Sequence, residues 1–107
     1  MNTDVYRQAP LLQDEHEELV RTMRQLPVRE WLIRRAALAD RSSLAVAATD
    51  GKAAQDLINA ARKLALHDRQ HSSSAGPFIL TNVTADSRTE DLRTYIRQEY
   101  GAWAAAR

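Results

Sequence analysis

The chain has very few points at which its backbone can turn sharply, since only three glycines and three prolines occur in 107 residues. Sandwiches and barrels need a turn about every 8–12 residues, and their turns are rich in these two residues. The sequence therefore indicates helices. Eighteen of the side chains are alanine, and an alanine buries little apolar area. We expect a thin core and a second copy of the chain that helps to cover it.

Apolar residues recur at helical spacing in four stretches. The first stretch runs from Pro10 to Pro27, and the second from Val28 to about Ala48 with a possible break at 40–43. The third runs to about His71 behind the capping candidates Thr49 and Asp50. The last opens at Arg88 with the capping box Ser87-x-x-Glu90. The predicted fold is all-α: one domain over 1–107, a small antiparallel bundle of about four helices, with residues 1–9 frayed.

In the first helix, the predicted inner stripe has spacings of four, three, four and three residues. Its members are Leu12, His16, Leu19, Met23 and Leu26.

Residues 72–86 interrupt the helical pattern. The link that ends in Gly76-Pro77 leads into 78–83, six residues rich in strand formers. A lone strand cannot satisfy its own backbone hydrogen bonds. Two interpretations stay open, a strand that pairs with a second chain and an extended strap across the helices, and the strap is favoured.

Composition narrows the class of protein. The net charge is +1 and there is no cysteine, which fits a reducing, cytoplasmic setting. No apolar run reaches the roughly 20 residues of a membrane span. Glycine-rich nucleotide loops and the Gly-x-Ser-x-Gly elbow are missing, so we predict no catalytic residue and no cofactor. The favoured function is an interaction or regulatory protein, without chemistry of its own, that acts through helix faces as a homodimer or with another protein.

Aromatic and apolar residues near the C-terminal half are the candidate contacts for such a partner. The set is Tyr95, Tyr100, Trp103, Phe78 and Ile79. Aromatic residues are common at the centres of interfaces, and they are equally common in cores. Both interpretations stay open for this cluster.

Residues 43–63 suggest an alternative, a DNA-binding regulator with a helix-turn-helix that turns at Gly51. Its second helix would present four polar side chains to the major groove: Gln55, Asn59, Arg62 and Lys63. However, Asp50 and Lys52 stand where apolar residues usually hold two such helices together. A simple turn between bundle helices is therefore favoured over nucleic-acid binding.

A second alternative is a metal site made of His16, His67 and His71. The last two are four residues apart on one helix, and neutral imidazoles bind zinc, nickel or copper. One histidine on one helix and a His-x-x-x-His pair on another is similar to the ligand set of DinB-type helical-bundle metal proteins. That similarity covers three residues and the fold class. Histidines that stabilise a helix C-terminus are the favoured interpretation.

Charge is unevenly distributed along the first half of the chain. Residues 14–18 hold four carboxylates, and the basic stretch 21–41 follows. We expect the acidic and basic faces to pair within one chain or between two. Arg35 and Glu99 fall on apolar stripes, where an unpaired charge is costly, so they are predicted to form a buried ion pair.

Overall fold

The computed structural model describes residues 3–47 and 49–107. A short 3-10 turn, Thr3–Tyr6, precedes four helices: α1 (Leu12–Thr22), α2 (Val28–Leu44), α3 (Gly51–His71) and α4 (Thr89–Ala105). Within the described ranges no residue belongs to a strand. The prediction of an all-α fold with about four helices is confirmed.

Helix α2 is the centre of the bundle, because it contacts each of the other three helices. Ion pairs along its length show that α3 runs antiparallel to it. Arg29 near the start of α2 pairs with Asp68 near the end of α3, and Arg35 pairs with Asp56 near the start of α3. The apolar core lies between α2, α3 and α4 and includes Ile33, Leu57, Leu64, Leu92 and Ile96.

The start of α3 follows a local signal, whereas its end does not. The Asp50 side chain accepts a hydrogen bond from the Ala53 amide, as a helix N-cap does. At the other end Ser72 takes up the left-handed conformation, with φ of 52°. The predicted capping box of α4 is wrong, since Ser87 Oγ accepts instead from the Thr84 amide in the preceding turn.

Helix α2 continues through 40–43 without the possible break. There the Ser43 hydroxyl donates to the Asp40 carbonyl one turn earlier, so this serine is satisfied inside the helix.

Helix α1 is rotated relative to the prediction, and its inner stripe is wrong for His16 and Met23. Glu15 and Leu19 are buried, whereas His16 and Met23 are exposed. Glu15 lies inside because Arg34 of α2 reaches it at 2.6 Å, and Trp31 Nε1 donates to the Leu19 carbonyl on the same side.

Residues 3–9, which were expected to fray, include a short turn that contacts the bundle, while residues 1 and 2 lie outside the described ranges. Tyr6 donates a 2.5 Å hydrogen bond to Asp40, and its ring meets Tyr100 edge-on at 5.2 Å. The buried acceptor and the aromatic contact together hold this segment on the bundle.

The segment between α3 and α4 forms an extended strap, as favoured. Val83 is buried, and Phe78 and Leu80 pack against the core. Side chains of the helices make the main-chain hydrogen bonds that a neighbouring strand would otherwise provide. Gln98 accepts from the Phe78 amide and donates to its carbonyl. Arg62 and Arg69 of α3 donate to the carbonyls of Val83 and Thr81, respectively.

In the part of the chain that the structure describes, no helix combines the length and the apolar character that crossing a bilayer requires.

Candidate functional site

The predicted aromatic contact cluster is divided between core and surface. Tyr95 and Tyr100 are buried, so for these two residues the structure favours the core alternative. Phe78 and Trp103 are half-buried, and Trp103 lies beneath the guanidinium groups of Arg34 and Arg107. Of the five residues, Ile79 is the one that is exposed, at 59%.

The four residues of the nucleic-acid alternative share the outer face of α3 and are all exposed. Gln55 donates to Asn59 along the helix. Arg62 binds the strap carbonyl of Val83 and also reaches Asn59, which leaves Lys63 without a specified role. Three of the four side chains therefore make hydrogen bonds within α3 or to the strap.

The three histidines do not converge. His67 and His71 stack with ring centroids 4.2 Å apart, and His71 Nδ1 lies 2.8 Å from the His67 carbonyl. His16 is exposed on α1, and among the described residues α1 contacts no helix other than α2. Across residues 3–47 and 49–107, no group of three or more histidine or carboxylate side chains is placed to hold a metal ion.

The predicted ion pair between Arg35 and Glu99 is also wrong, because each residue has another partner. Arg35 pairs with Asp56 at 2.5 Å, and Glu99 pairs with Arg29 at 2.5 Å. Glu99 is fully buried, whereas Arg35 lies at the rim of the α2–α3 contact. The pattern identified charges that need partners, and it could not identify which partners are in reach.

The outer face of α1 carries apolar residues that no predicted site contained. Val20 and Met23 are 65% and 52% exposed, and helical spacing places them beside His16. The inner face of the same helix carries the buried carboxylate of Glu15, which pairs with Arg34. The inner face thus combines the charge of Glu15 with the buried Leu19, while the outer face carries exposed apolar side chains among its polar ones.

A buried polar network joins α2, α3 and α4 beneath the strap. Arg29 donates to both Asp68 oxygens and to Glu99. The Tyr95 hydroxyl donates to Asp68 at 2.5 Å, and it accepts at 2.7 Å from Ser74 of the strap. Two carboxylates in this network, which we call the Asp68 cluster, thus share one guanidinium.

The other contacts of the Asp68 cluster come from neighbouring segments. Glu99 accepts from the strap amide of Ala75 and from Gln98. His67 Nδ1 lies 3.5 Å from Asp68 and has no hydrogen-bond partner in the described part of the chain.

The charges of the Asp68 cluster act on the ionisation of Arg29 and Tyr95. Burial alone would lower the pKa of Arg29, but hydrogen bonds and attraction from Asp68 and then Glu99 outweigh it and raise that pKa. Burial and the bond to Asp68 raise the pKa of Tyr95 well above its usual value. The phenol therefore stays protonated at neutral pH and does not act as a base toward Ser74.

A cavity of about 320 Å³ adjoins this cluster, between the end of α3 and the strap. Its polar lining includes Asp68, Ser72 and Ser74, and its apolar lining includes Ile79 and Leu80. The strap therefore does more than cover the core, because it closes one side of a hollow that a buried carboxylate reaches.

Comparisons of the chain with family models, with the curated proteins and with the solved structures found no match.

Proposed function

We propose that this chain is a small interaction protein that works by self-association, with the outer face of α1 as its contact surface. The exposed apolar side chains carry the proposal, since Val20 on α1 and Met23 at its C-cap are 65% and 52% exposed. Burying such side chains against a partner is favourable, at about 25 cal/mol per Å² of apolar area.

The charges beside these apolar residues favour a second copy as the partner. The exposed flanks of α1 and the following turn hold Asp14 and Glu17 toward the N-terminus and Arg21 and Arg24 toward the C-terminus. Each basic residue follows an acidic one by seven positions, which places the two on the same side of a helix. In an antiparallel pair of α1 helices related by a two-fold axis, the acidic end of each copy meets the basic end of the other.

The accessible surface agrees with an uncovered contact face. The chain exposes 6700 Å², whereas a compact monomer of this mass typically exposes about 6,000 Å². The alanine-rich core described above adds to the benefit of a partner.

Sedimentation equilibrium tests the proposal by measuring mass against concentration. The expected result is a shift from one chain toward two as concentration rises, and Val20→Asp should keep the protein monomeric. Leu66→Asp is the matched control, because Leu66 is an exposed apolar residue on α3, and its mass distribution should equal that of the parent.

Charge reversal tests the two-fold geometry. Glu17→Arg and Arg24→Glu should each weaken dimerisation, because each places like charges opposite one another. The double variant should restore it by exchanging the signs. A parent protein that stays monomeric at every concentration contradicts the proposal, and a dimer that Val20→Asp leaves intact contradicts the assignment to α1.

A further inference from the structure

The Asp68 cluster contains one more negative than positive charge. Asp68 and Glu99 are 1% and 0% exposed, and among the described residues Arg29 is the one arginine or lysine in ion-pair contact with them. An uncompensated charge in the interior is costly. A further positive group near Asp68 would remove that cost.

The cavity beside Asp68 provides room for such a group. Its volume of about 320 Å³ is within the usual range for small-molecule sites, which starts at about 300 Å³. Ile79 and Leu80 give it apolar surface for the body of a ligand. A larger hollow of about 520 Å³ lies between α2 and α3, but there Arg35 and Asp56 already neutralise each other.

The polar atoms of the smaller cavity accept hydrogen bonds. Tyr95 donates its proton to Asp68, so the Ser74 hydroxyl donates to Tyr95 and keeps its lone pairs for another donor. The Asp68 carboxylate has acceptors only. Arg69 also lines the cavity, but it is exposed to solvent and its guanidinium is bound to the Thr81 carbonyl.

We propose that the cavity between α3 and the strap binds a small organic cation, a primary alkylammonium ion whose charged end contacts Asp68 and Ser74 and whose chain lies against Ile79 and Leu80. The ammonium group supplies three donors and the missing positive charge. The alkyl chain supplies the apolar contact. This site is separate from the outer face of α1, and it stands whether or not the chain dimerises.

Titration calorimetry with n-pentylammonium chloride tests the site, with pentan-1-ol and sodium pentanoate as matched neutral and anionic probes. The ammonium ion should bind at least tenfold more tightly than the alcohol, and the carboxylate should not bind. Equal binding of ammonium and alcohol, or no heat from the ammonium ion at millimolar concentration, overturns the proposal.

Two variants locate the binding. Asp68→Asn should weaken ammonium binding at least tenfold, and circular dichroism shows whether it folds. Ile79→Trp fills the cavity from an exposed position and keeps the buried network intact, so it should also weaken binding at least tenfold. Leu44→Trp, at an exposed position on α2 outside the cavity, is the control and should bind like the parent. Parent-like binding by Ile79→Trp places the cation elsewhere and overturns the assignment.

His67 is the other group that could carry the missing charge, because its Nδ1 faces Asp68 at 3.5 Å. His67→Gln removes the imidazole and any competition from it. The variant should therefore bind n-pentylammonium at least as tightly as the parent, and a loss of binding would show that the imidazole, and not the carboxylate, receives the ligand.

Discussion

Two buried aspartates of this bundle are held in similar ways and differ in charge balance. Asp40 on α2 and Asp68 on α3 each accept a 2.5 Å hydrogen bond from a tyrosine, Tyr6 and Tyr95 respectively. Asp40 lies beside two arginines of α4, Arg93 and Arg97. Asp68 shares its arginine with Glu99. One aspartate therefore has an excess of positive charge around it, and the other an excess of negative charge.

The difference between the two sites has a physical consequence. With two arginines, Asp40 is neutralised even when one is lost, so this site serves as a joint between α2, α4 and the N-terminal turn. The Asp68 cluster has no such reserve, because a single guanidinium is bound by two buried carboxylates. A cavity adjoins Asp68, while Asp40 is enclosed by its partners. Asp40 thus stabilises a closed contact between its neighbours, whereas Asp68 borders a cavity that can receive a ligand.

Arginine removal should show the largest effect. Arg29→Met leaves two buried carboxylates without their counter-ion, so we expect the free energy of unfolding to fall by about 3–5 kcal/mol. Arg93→Met is the matched change at Asp40, where Arg97 remains, and about 1 kcal/mol should be lost. Urea unfolding followed by circular dichroism measures both values. Equal losses would show that the two aspartates are balanced alike.

The tyrosine bonds should have an intermediate effect. Tyr6→Phe and Tyr95→Phe each remove a hydrogen bond to a charged group, so about 1.5–3 kcal/mol should be lost at neutral pH. Urea unfolding at a series of pH values measures this deficit for each variant against the parent.

The deficit should shrink as the pH rises above about 10. Burial first, and then Asp40 or Asp68, raise the pKa of both tyrosines in the folded chain. The unfolded chain then ionises first, near the ordinary value of 10.0, and the parent loses its advantage. A deficit that is constant through this range would contradict the raised pKa values.

The smallest effect concerns the helix end next to Asp68. Ser72 has a φ of 52°, which costs about 1–2 kcal/mol for a residue with a Cβ and little for glycine. Ser72→Gly should therefore raise the free energy of unfolding by about 0.5–1 kcal/mol, and with it the melting temperature. Ser73→Gly is the control, because no positive φ occurs there, and it should be neutral or destabilising. A lower melting temperature for Ser72→Gly would contradict this reasoning.

Features encoded by neighbouring residues could be predicted from the sequence. The Asp50 cap, the long apolar face of α3 and the break before the strap all depend on residues within a few positions of one another. The helical class followed from the scarcity of turn residues. These parts of the fold needed no knowledge of which helix lies beside which.

The candidate sites, in contrast, depend on which helices lie side by side in the folded chain. The spacing of apolar residues predicted His16 inside and Glu15 outside. A pattern of polar and apolar residues counts every carboxylate as a surface group, and it contains no information that Arg34 lies opposite Glu15. Glu99 was identified as a buried charge, but its partner Arg29 is 70 residues away in the sequence. No spacing rule signals that distance. The exposed face of α1 was hidden for the same reason, since it follows from the rotation that Glu15 imposes.

The hydrogen bonds of the strap have a consequence for which of its residues can be replaced. Its carbonyls and amides are bound by Gln98, Arg62 and Arg69, which belong to the helices. These hydrogen bonds are made to main-chain atoms of the strap, so they do not depend on which side chains the strap carries. The strap should therefore keep its path when exposed residues such as Ile79 and Asn82 are replaced, and the lining of the cavity can change at Ile79 without any alteration of the helices.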